Sequence, residues 1–212
     1  ELLVTLFAAW RLGAVVTPIN PVLGPAEVGY QVSDAAAKLL VAESERADLS
    51  VPTLTLDTIA RAELGTAANP PIAQGLSESE LALLIYTSGT TGNPKGVMLT
   101  HGNLDAMTAS FIEWFKLTAQ DHSLLVLPLF HANGIVLGTL TPLRAGAQVT
   151  ITGKFSRDRF FADVERFRPT YFSAVPAIYA LLSSLPDDVT PDTSSLRFAV
   201  CGAAPMPAEA IH

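Results

Sequence analysis

The sequence predicts an α/β protein in which βαβ units build a parallel sheet. The main observation is that short apolar runs alternate with helix-length segments through residues 81–212. A second is composition: of 212 residues, 49% are hydrophobic and 16% are charged, which is typical of a compact globular chain. A third is that polar or glycine-containing loops follow Ile85, Leu127 and Val200. Ligands of open α/β sheets collect at the carboxyl ends of strands, so these loops are expected to face one crevice.

The first 60 residues are predicted to contain helices and short strands. Apolar side chains recur at helical spacing in residues 1–12, and Gly13 follows where a left-handed C-cap would sit. A second helix is predicted from Pro25 to about Asp34, because proline after Gly24 suits the first helical position. The other elements predicted here are strands at 14–17, 38–41 and 53–56 and a short helix from Glu43.

A linker is predicted at about 61–79, where Gly65, Asn69-Pro70-Pro71 and Gly75 occur. It would join subregions of about 1–60 and 80–212. Beyond it, two strands flank a glycine-rich loop, and Ser156 is a suitable N-cap for a later helix. The remaining predicted elements are helices at 103–116, 134–144, 157–167 and 177–185, and strands at 124–127, 148–151, 170–174 and 197–200.

Charge and cysteine content argue against several classes of protein. A net charge of −7 disfavours a general nucleic-acid surface, so an anionic substrate would be met by local donors. A single cysteine, Cys201, cannot form an intramolecular disulfide, which fits a reducing compartment and a cytoplasmic location. The longest apolar run, at 135–143, is too short to span a membrane. We therefore expect no integral membrane segment.

The most informative segment is 86–97, Tyr-Thr-Ser-Gly-Thr-Thr-Gly-Asn-Pro-Lys-Gly-Val. Its glycines allow backbone N–H groups to converge on an anion, its hydroxyls add donors, and its lysine adds a positive charge. This combination predicts a polyphosphate clamp. The residues assigned to it are Thr87, Ser88, Gly89, Thr90, Thr91, Gly92 and Lys95.

Two alternatives to this interpretation are a Walker A loop and an ordinary surface turn. A Walker A loop requires Gly-Lys-Ser/Thr, but Lys95 follows Pro94 and precedes Gly96, which disfavours a P-loop kinase or ATPase. A plain turn could use the Asn93-Pro94 step. The density of hydroxyls and glycines beside a lysine makes that second alternative the weaker one.

Residues 86–101, which end in Leu-Thr-His, resemble the phosphate loop of the adenylate-forming enzymes. This superfamily includes the acyl-CoA synthetases, luciferases and peptide-synthetase adenylation domains. Further stretches resemble family motifs in order and spacing: 10–21, 127–131 (Leu-Pro-Leu-Phe-His), 175–179 and 201–206 (Cys-Gly-Ala-Ala-Pro-Met). The resemblance covers nearly the whole chain. It implies an incomplete, interior part of the large N-terminal AMP-binding domain, with the C-terminal domain absent.

The resemblance also implies roles for individual residues. His131 would lie at the mouth of the acyl pocket and act on the substrate carboxylate, although a capping role at a strand end is an alternative. The wall against the adenine would be made by Gly202, Ala203, Ala204 and Pro205. Cys201 is not expected to be a nucleophile, because small buried thiols are common and no partner residue is evident.

The implied reaction has two steps: a carboxylate attacks the α-phosphorus of Mg-ATP, and coenzyme A then takes the acyl group from the adenylate. Segment 127–134 resembles the branch of the family that ligates fatty or other small carboxylic acids more than it resembles amino-acid adenylation domains. An acyl-AMP ligase or carrier-loading adenylation domain is the alternative, and a non-catalytic binding fragment is a third. The family's Mg²⁺ glutamate, ribose aspartate and catalytic lysine lie outside this chain, so no metal ligand is assigned. We expect the isolated chain to be inactive and prone to self-association.

Overall fold

The computed structural model describes residues 1–61, 77–87, 92–186 and 190–206. The chain divides into two compact units, Glu1–Asn103 and Leu104–His212. Most of the predicted linker, together with Ser88, Gly89, Thr90 and Thr91 of the predicted clamp, lies outside the described residues.

The described residues of the first unit contain short strands and helices. The elements are α1 (Leu2–Arg11), α2 (Pro25–Asp34), β1 (Leu40–Ala42), β2 (Thr53–Thr55), α3 (Leu56–Arg61), β3 (Leu81–Thr87) and β4 (Lys95–Thr100). The two predicted helices are confirmed, and Gly13 has the expected left-handed conformation with a φ of 73°. The short helix predicted from Glu43 is wrong. The Arg46 guanidinium instead binds Asp48 at 2.8 Å, and residues two apart do not face each other on a helix.

Strand pairing in this unit is partly parallel and partly antiparallel. β1 pairs with β2 in parallel, whereas β3 and β4 form an antiparallel hairpin in which Thr87 lies opposite Lys95. The strand predicted at 14–17 reduces to a single parallel bridge between Val16 and Leu83. Pro18 follows closely and has no N–H group with which to extend the pairing. The hairpin places the ends of the glycine-rich loop on adjacent strands.

The second unit contains the parallel sheet. Helix α4 (His101–Phe115) leads into it, and its elements are β5 (His122–Leu125), a π-helix (Asn133–Leu140), α5 (Thr141–Arg144), β6 (Gln148–Ile151), α6 (Arg157–Phe167), β7 (Tyr171–Ala174), α7 (Pro176–Ser183) and β8 (Phe198–Cys201). Four strands lie in the order β6-β5-β7-β8, and every neighbouring pair is parallel. The predicted α/β class is therefore confirmed. Residues of β5 and β7 pack on Phe160 and Val164 of α6 in the core.

The segment predicted as one α-helix at 134–144 begins instead as a π-helix of eight residues. Its wider turn leaves backbone carbonyls to be bonded by side chains. The Thr139 hydroxyl donates to the Gly134 carbonyl at 2.9 Å, and the Ser123 hydroxyl donates to the Gly138 carbonyl at 3.0 Å. The first bond lies within the π-helix, and the Ser123 bond holds the π-helix against β5, so the residues just before it have a defined position.

Asp121 connects the amino ends of β5, β7 and β8 through hydrogen bonds. It is 2% exposed and directly precedes β5, while Thr170 and Arg197 directly precede β7 and β8. Its carboxylate accepts hydrogen bonds from the Thr170 hydroxyl at 2.8 Å, from the Thr118 N–H at 2.8 Å and from the Arg197 guanidinium. Burial alone would raise the pKa of Asp121, but these hydrogen bonds together outweigh burial and lower it.

Asp121→Asn is expected to reduce the free energy of unfolding by about 2–3 kcal/mol at neutral pH, since buried donors lose a charged acceptor. A lower pKa in the folded state means that this stabilisation is present above the ordinary aspartate pKa and is lost as the pH falls through the folded value. The difference between wild type and variant should therefore shrink in acid. Urea unfolding at neutral and acidic pH measures it.

The matched control for this prediction is Asp158→Asn. Asp158 is exposed and pairs with Arg157 at the surface, so its replacement should have a much smaller effect at neutral pH. Equal losses in the two variants, or a difference for Asp121→Asn that does not change with pH, would contradict the account of this network.

Candidate functional site

The carboxyl ends of β5, β7 and β8 lie along one edge of the parallel sheet, because the strands run in the same direction. The segment after β5 leads to His131, and the segment after β8 begins at Gly202. The Gly202 N–H donates to the Ala174 carbonyl at the end of β7, at 3.2 Å. Two of the three predicted motif loops therefore share the edge at which ligands of such sheets bind.

Asn133 connects these two loops. Its Oδ1 accepts a hydrogen bond from the Ser173 hydroxyl at 2.9 Å. Its Nδ2 lies 3.4 Å from the position that a Cβ on Gly202 would occupy. Asn133 was not predicted from the sequence, because its partner Ser173 is 40 residues away along the chain. An alanine at position 202 would make an ordinary van der Waals contact with this amide, so the two loops lie close together here.

His131 lies in the turn between β5 and the π-helix, with its side chain exposed. Its N–H donates to the Pro128 carbonyl at 3.2 Å, and its carbonyl accepts from the Ile135 N–H at 3.1 Å. The Phe130 ring packs on the imidazole with a centroid separation of 4.5 Å. The backbone is thus fixed on both sides, while the imidazole remains accessible to a ligand at this edge.

The turn after β8 presents a small, open surface. Ala203, Ala204 and Pro205 are exposed, and Ala203 has a left-handed φ of 70°, which is uncommon for a residue other than glycine. The Tyr179 hydroxyl donates to the Val200 carbonyl at 2.8 Å and so holds the strand that leads into the turn. Burial raises the pKa of Tyr179, which keeps this donor protonated. A surface of small side chains can accept a flat ring.

The described part of the glycine-rich loop lies at the end of the β3–β4 hairpin. Thr87 and Lys95 are paired in register, and both are exposed. Gly92 has a φ of 143°, a conformation that side-chain-bearing residues rarely adopt. The hairpin therefore presents a hydroxyl and an ammonium group from adjacent strands, a combination that can bind an anion.

No cluster of three or more His, Cys, Asp or Glu side chains that could hold a metal ion occurs among residues 1–61, 77–87, 92–186 and 190–206. The same ranges contain no helix that is long and apolar enough to cross a membrane. Hydroxyl, amide, imidazole and ammonium groups are instead present on the candidate residues Thr87, Asn133, His131 and Lys95, and such groups suit a phosphorylated organic ligand.

The fold is that of the adenylate-forming class, and the chain belongs to the AMP-binding enzyme family, whose sequence model matches residues 1–212. It is 35% identical over 208 residues to a feruloyl-CoA synthase from an Amycolatopsis species, covering 97% of this chain and 42% of that protein. It is 32% identical to the medium-chain fatty-acid–CoA ligase of Escherichia coli K12, covering 98% of this chain and 41% of that one.

A likeness in structure agrees with the family match. The ATP-bound crystal structure of MatB from Rhodopseudomonas palustris superimposes with a TM-score of 0.86 at 26% identity, covering 99% of this chain and 44% of that chain. The resemblance predicted from segment 86–101 is therefore confirmed at the level of family and fold. The chain spans less than half the length of these relatives, so activity and substrates remain to be proposed.

Proposed function

We propose that this chain is part of an acid–thiol ligase that activates a carboxylic acid with ATP through an acyl adenylate and transfers the acyl group to coenzyme A. The observation that carries the proposal is the edge at which His131, Asn133 and the Gly202 turn converge, within a chain that the AMP-binding family matches throughout. The chain spans about 42% of its relative from Amycolatopsis, and we propose that it is part of a longer protein, within the N-terminal domain that the sequence resemblance implies.

In the first step a carboxylate oxygen attacks the α-phosphorus of ATP, the bond to the β-phosphate breaks, and pyrophosphate leaves. Lys95 and Thr87 would hold the β- and γ-phosphates and stabilise the charge on the departing pyrophosphate. Gly92 would give backbone donors room to approach. Ser88, Gly89, Thr90 and Thr91 are assigned to the same clamp on the sequence alone.

The carboxylate and the adenine are assigned to the sheet edge. The exposed imidazole of His131 would orient the carboxylate and donate a hydrogen bond as charge builds on the α-phosphate. The adenine would lie against the small surface of Gly202, Ala203, Ala204 and Pro205. Mg²⁺ would accompany ATP and neutralise phosphate charge, with its protein ligand elsewhere in the longer protein.

In the second step the thiol of coenzyme A attacks the acyl carbon and AMP leaves. The two curated relatives named above act, by their names, on an aromatic acid and on medium-chain fatty acids. We therefore propose a fatty or other small carboxylic acid as substrate, with a carrier-protein thiol as the alternative acceptor.

The single cysteine among 212 residues supports a reducing, cytoplasmic location, which fractionation of the source cells would test.

Carboxylate-dependent exchange of labelled pyrophosphate into ATP tests the proposal in the full-length protein. We expect exchange with at least one member of a panel of aromatic and aliphatic acids, and thioester formation when coenzyme A is added. Thioester formation only with an acylated carrier protein would favour the carrier-loading alternative. Exchange at background with every acid would count against the function as a whole.

A further inference from the structure

Helix α2 contacts both ends of the glycine-rich hairpin loop in the first unit. The Tyr30 hydroxyl donates to the Pro94 carbonyl at 3.1 Å, and the Tyr86 hydroxyl donates to Asp34 Oδ2 at 2.6 Å. Tyr86 is the penultimate residue of β3, and Pro94 directly precedes Lys95, the first residue of β4. The two hydrogen bonds therefore lie on either side of segment 87–93, and together we call them the α2 brace.

Helix α2, which carries both residues of the α2 brace, is held in place by buried side chains and by a cap at its start. Tyr30 and Asp34 are four residues apart and so lie on one face of α2. Another face is buried through Val28, Gln31 and Val32. The start of the helix is fixed because the Glu27 carboxylate accepts the Gly24 N–H at 3.0 Å. The two contacts thus hold Pro94 and Tyr86 against α2.

The position of Asp34 is not explained by the helix itself. Asp34 is the last residue of α2, where the partial negative charge of the helix end disfavours a carboxylate. Its hydrogen bond with Tyr86 gives the carboxylate a different role. Burial, followed by the bond with Asp34, raises the pKa of Tyr86, so the hydroxyl stays protonated and remains a donor.

The hairpin also leaves space for the Tyr86 ring. Gly96 lies opposite Tyr86 in the register, and a Cβ at position 96 would lie 3.3 Å from Tyr86 Cζ and 2.8 Å from Leu84 Cδ1. The Tyr30 and Tyr86 rings meet edge to face, with centroids 6.5 Å apart. Helix and hairpin therefore fit together around this tyrosine pair.

We propose that Tyr30 and Asp34 are positioning residues which, by holding both ends of the loop, set where Lys95 and Thr87 meet the triphosphate. This inference rests on the proposed function of the loop, and the two residues themselves are not expected to touch ATP. It predicts that the α2 brace positions Lys95 and Thr87 in advance and so lowers the cost of binding ATP.

Tyr30→Phe and Asp34→Ala are the test variants, made singly and together in the full-length protein. Each should raise the Kd for ATP, measured by calorimetry, and the KM for ATP in pyrophosphate exchange by about fivefold, and the pair by about tenfold or more. The KM for the carboxylic acid should not change. Asp34→Asn keeps an acceptor oxygen and should restore most of the affinity that Asp34→Ala loses.

Matched controls separate positioning from general stability. Tyr171→Phe removes a tyrosine hydrogen bond to the Leu137 carbonyl, and Asp48→Asn removes a surface carboxylate paired with Arg46. Neither should change the Kd or the KM for ATP. Thermal unfolding of every variant, monitored without ATP, shows whether the fold is retained.

A purely structural role would lower the unfolding temperature and the active fraction while leaving the Kd and KM for ATP unchanged, and that result would overturn the proposal. If wild type shows no exchange with any acid, the proposed function fails. The Kd values for ATP still test whether the α2 brace positions the loop ends. In that case too, a wild-type Kd for ATP in the test variants would overturn the proposal for the α2 brace.

Discussion

Gly134→Ala is expected to reduce the free energy of unfolding by about 3 kcal/mol, the largest stability effect predicted for this chain. A Cβ at Gly134 would lie 2.4 Å from the Pro128 carbonyl oxygen and 3.2 Å from the Leu127 carbonyl oxygen. Both are backbone atoms, so no rotamer change can relieve the clash. The turn that carries His131 or the start of the π-helix must shift, and carboxylate activation should fall as well.

Gly29→Ala is the matched control, because Gly29 is also helical but has room for a methyl group. A Cβ there would meet Leu49 Cδ2 at 3.7 Å, an ordinary contact. Alanine is a better helix former than glycine by about 1 kcal/mol, so this variant should be neutral or more stable. Thermal and urea unfolding of the two variants measure the contrast. Equal stability of Gly134→Ala and wild type would contradict the packing described for the π-helix.

Lys95→Ala is expected to slow carboxylate-dependent pyrophosphate exchange about ten- to a hundredfold. Loss of a charge-assisted hydrogen bond to phosphate costs about 1.5–3 kcal/mol, which corresponds to that range in rate. The Lys95 side chain is exposed in the residue pair of the β3–β4 hairpin that lies nearest the loop, so its removal should leave the fold unchanged.

Lys38→Ala provides the comparison for Lys95→Ala. Lys38 is exposed in the same unit, and its removal makes an equal change in net charge. Exchange by this variant should match wild type. If both variants retain the wild-type rate, Lys95 is a solvated turn residue and the assignment of the phosphate clamp is wrong.

The parallel sheet was predictable because its strands are short apolar runs separated by segments of helical length. β6, β7 and β8 lie within one residue of their predicted bounds, and β5 lies within two. The π-helix was not predictable, since apolar periodicity over so short a run does not separate a π-helix from an α-helix. Its geometry depends on the close approach of Gly134 to Pro128 and on the Ser123 hydroxyl, which come from other parts of the chain.

Candidate site residues were predictable where a motif is contiguous in sequence. Segment 86–97 and the turn at 202–205 were found this way, and their roles remain proposals. Asn133 and the α2 brace were not found, because their partners are distant: Ser173 is 40 residues from Asn133, Tyr86 is 52 from Asp34, and Pro94 is 64 from Tyr30. Such contacts depend on tertiary structure and leave no local pattern.

The central claim is that a carboxylate oxygen attacks the α-phosphorus of ATP. The oxygen that bridges acyl group and phosphorus in the adenylate then comes from the acid. When the thiol attacks the acyl carbon, the carbon–oxygen bond breaks and that oxygen stays on AMP. A kinase or ATPase would instead transfer the γ-phosphate and release ADP.

Turnover of a carboxylic acid labelled with ¹⁸O at both carboxylate oxygens by the full-length protein, with ATP and coenzyme A, separates these reactions by mass spectrometry of the nucleotide product. The account predicts AMP that carries one ¹⁸O atom, formed in equal amount to the thioester. Unlabelled AMP, or ADP as the product, would contradict it.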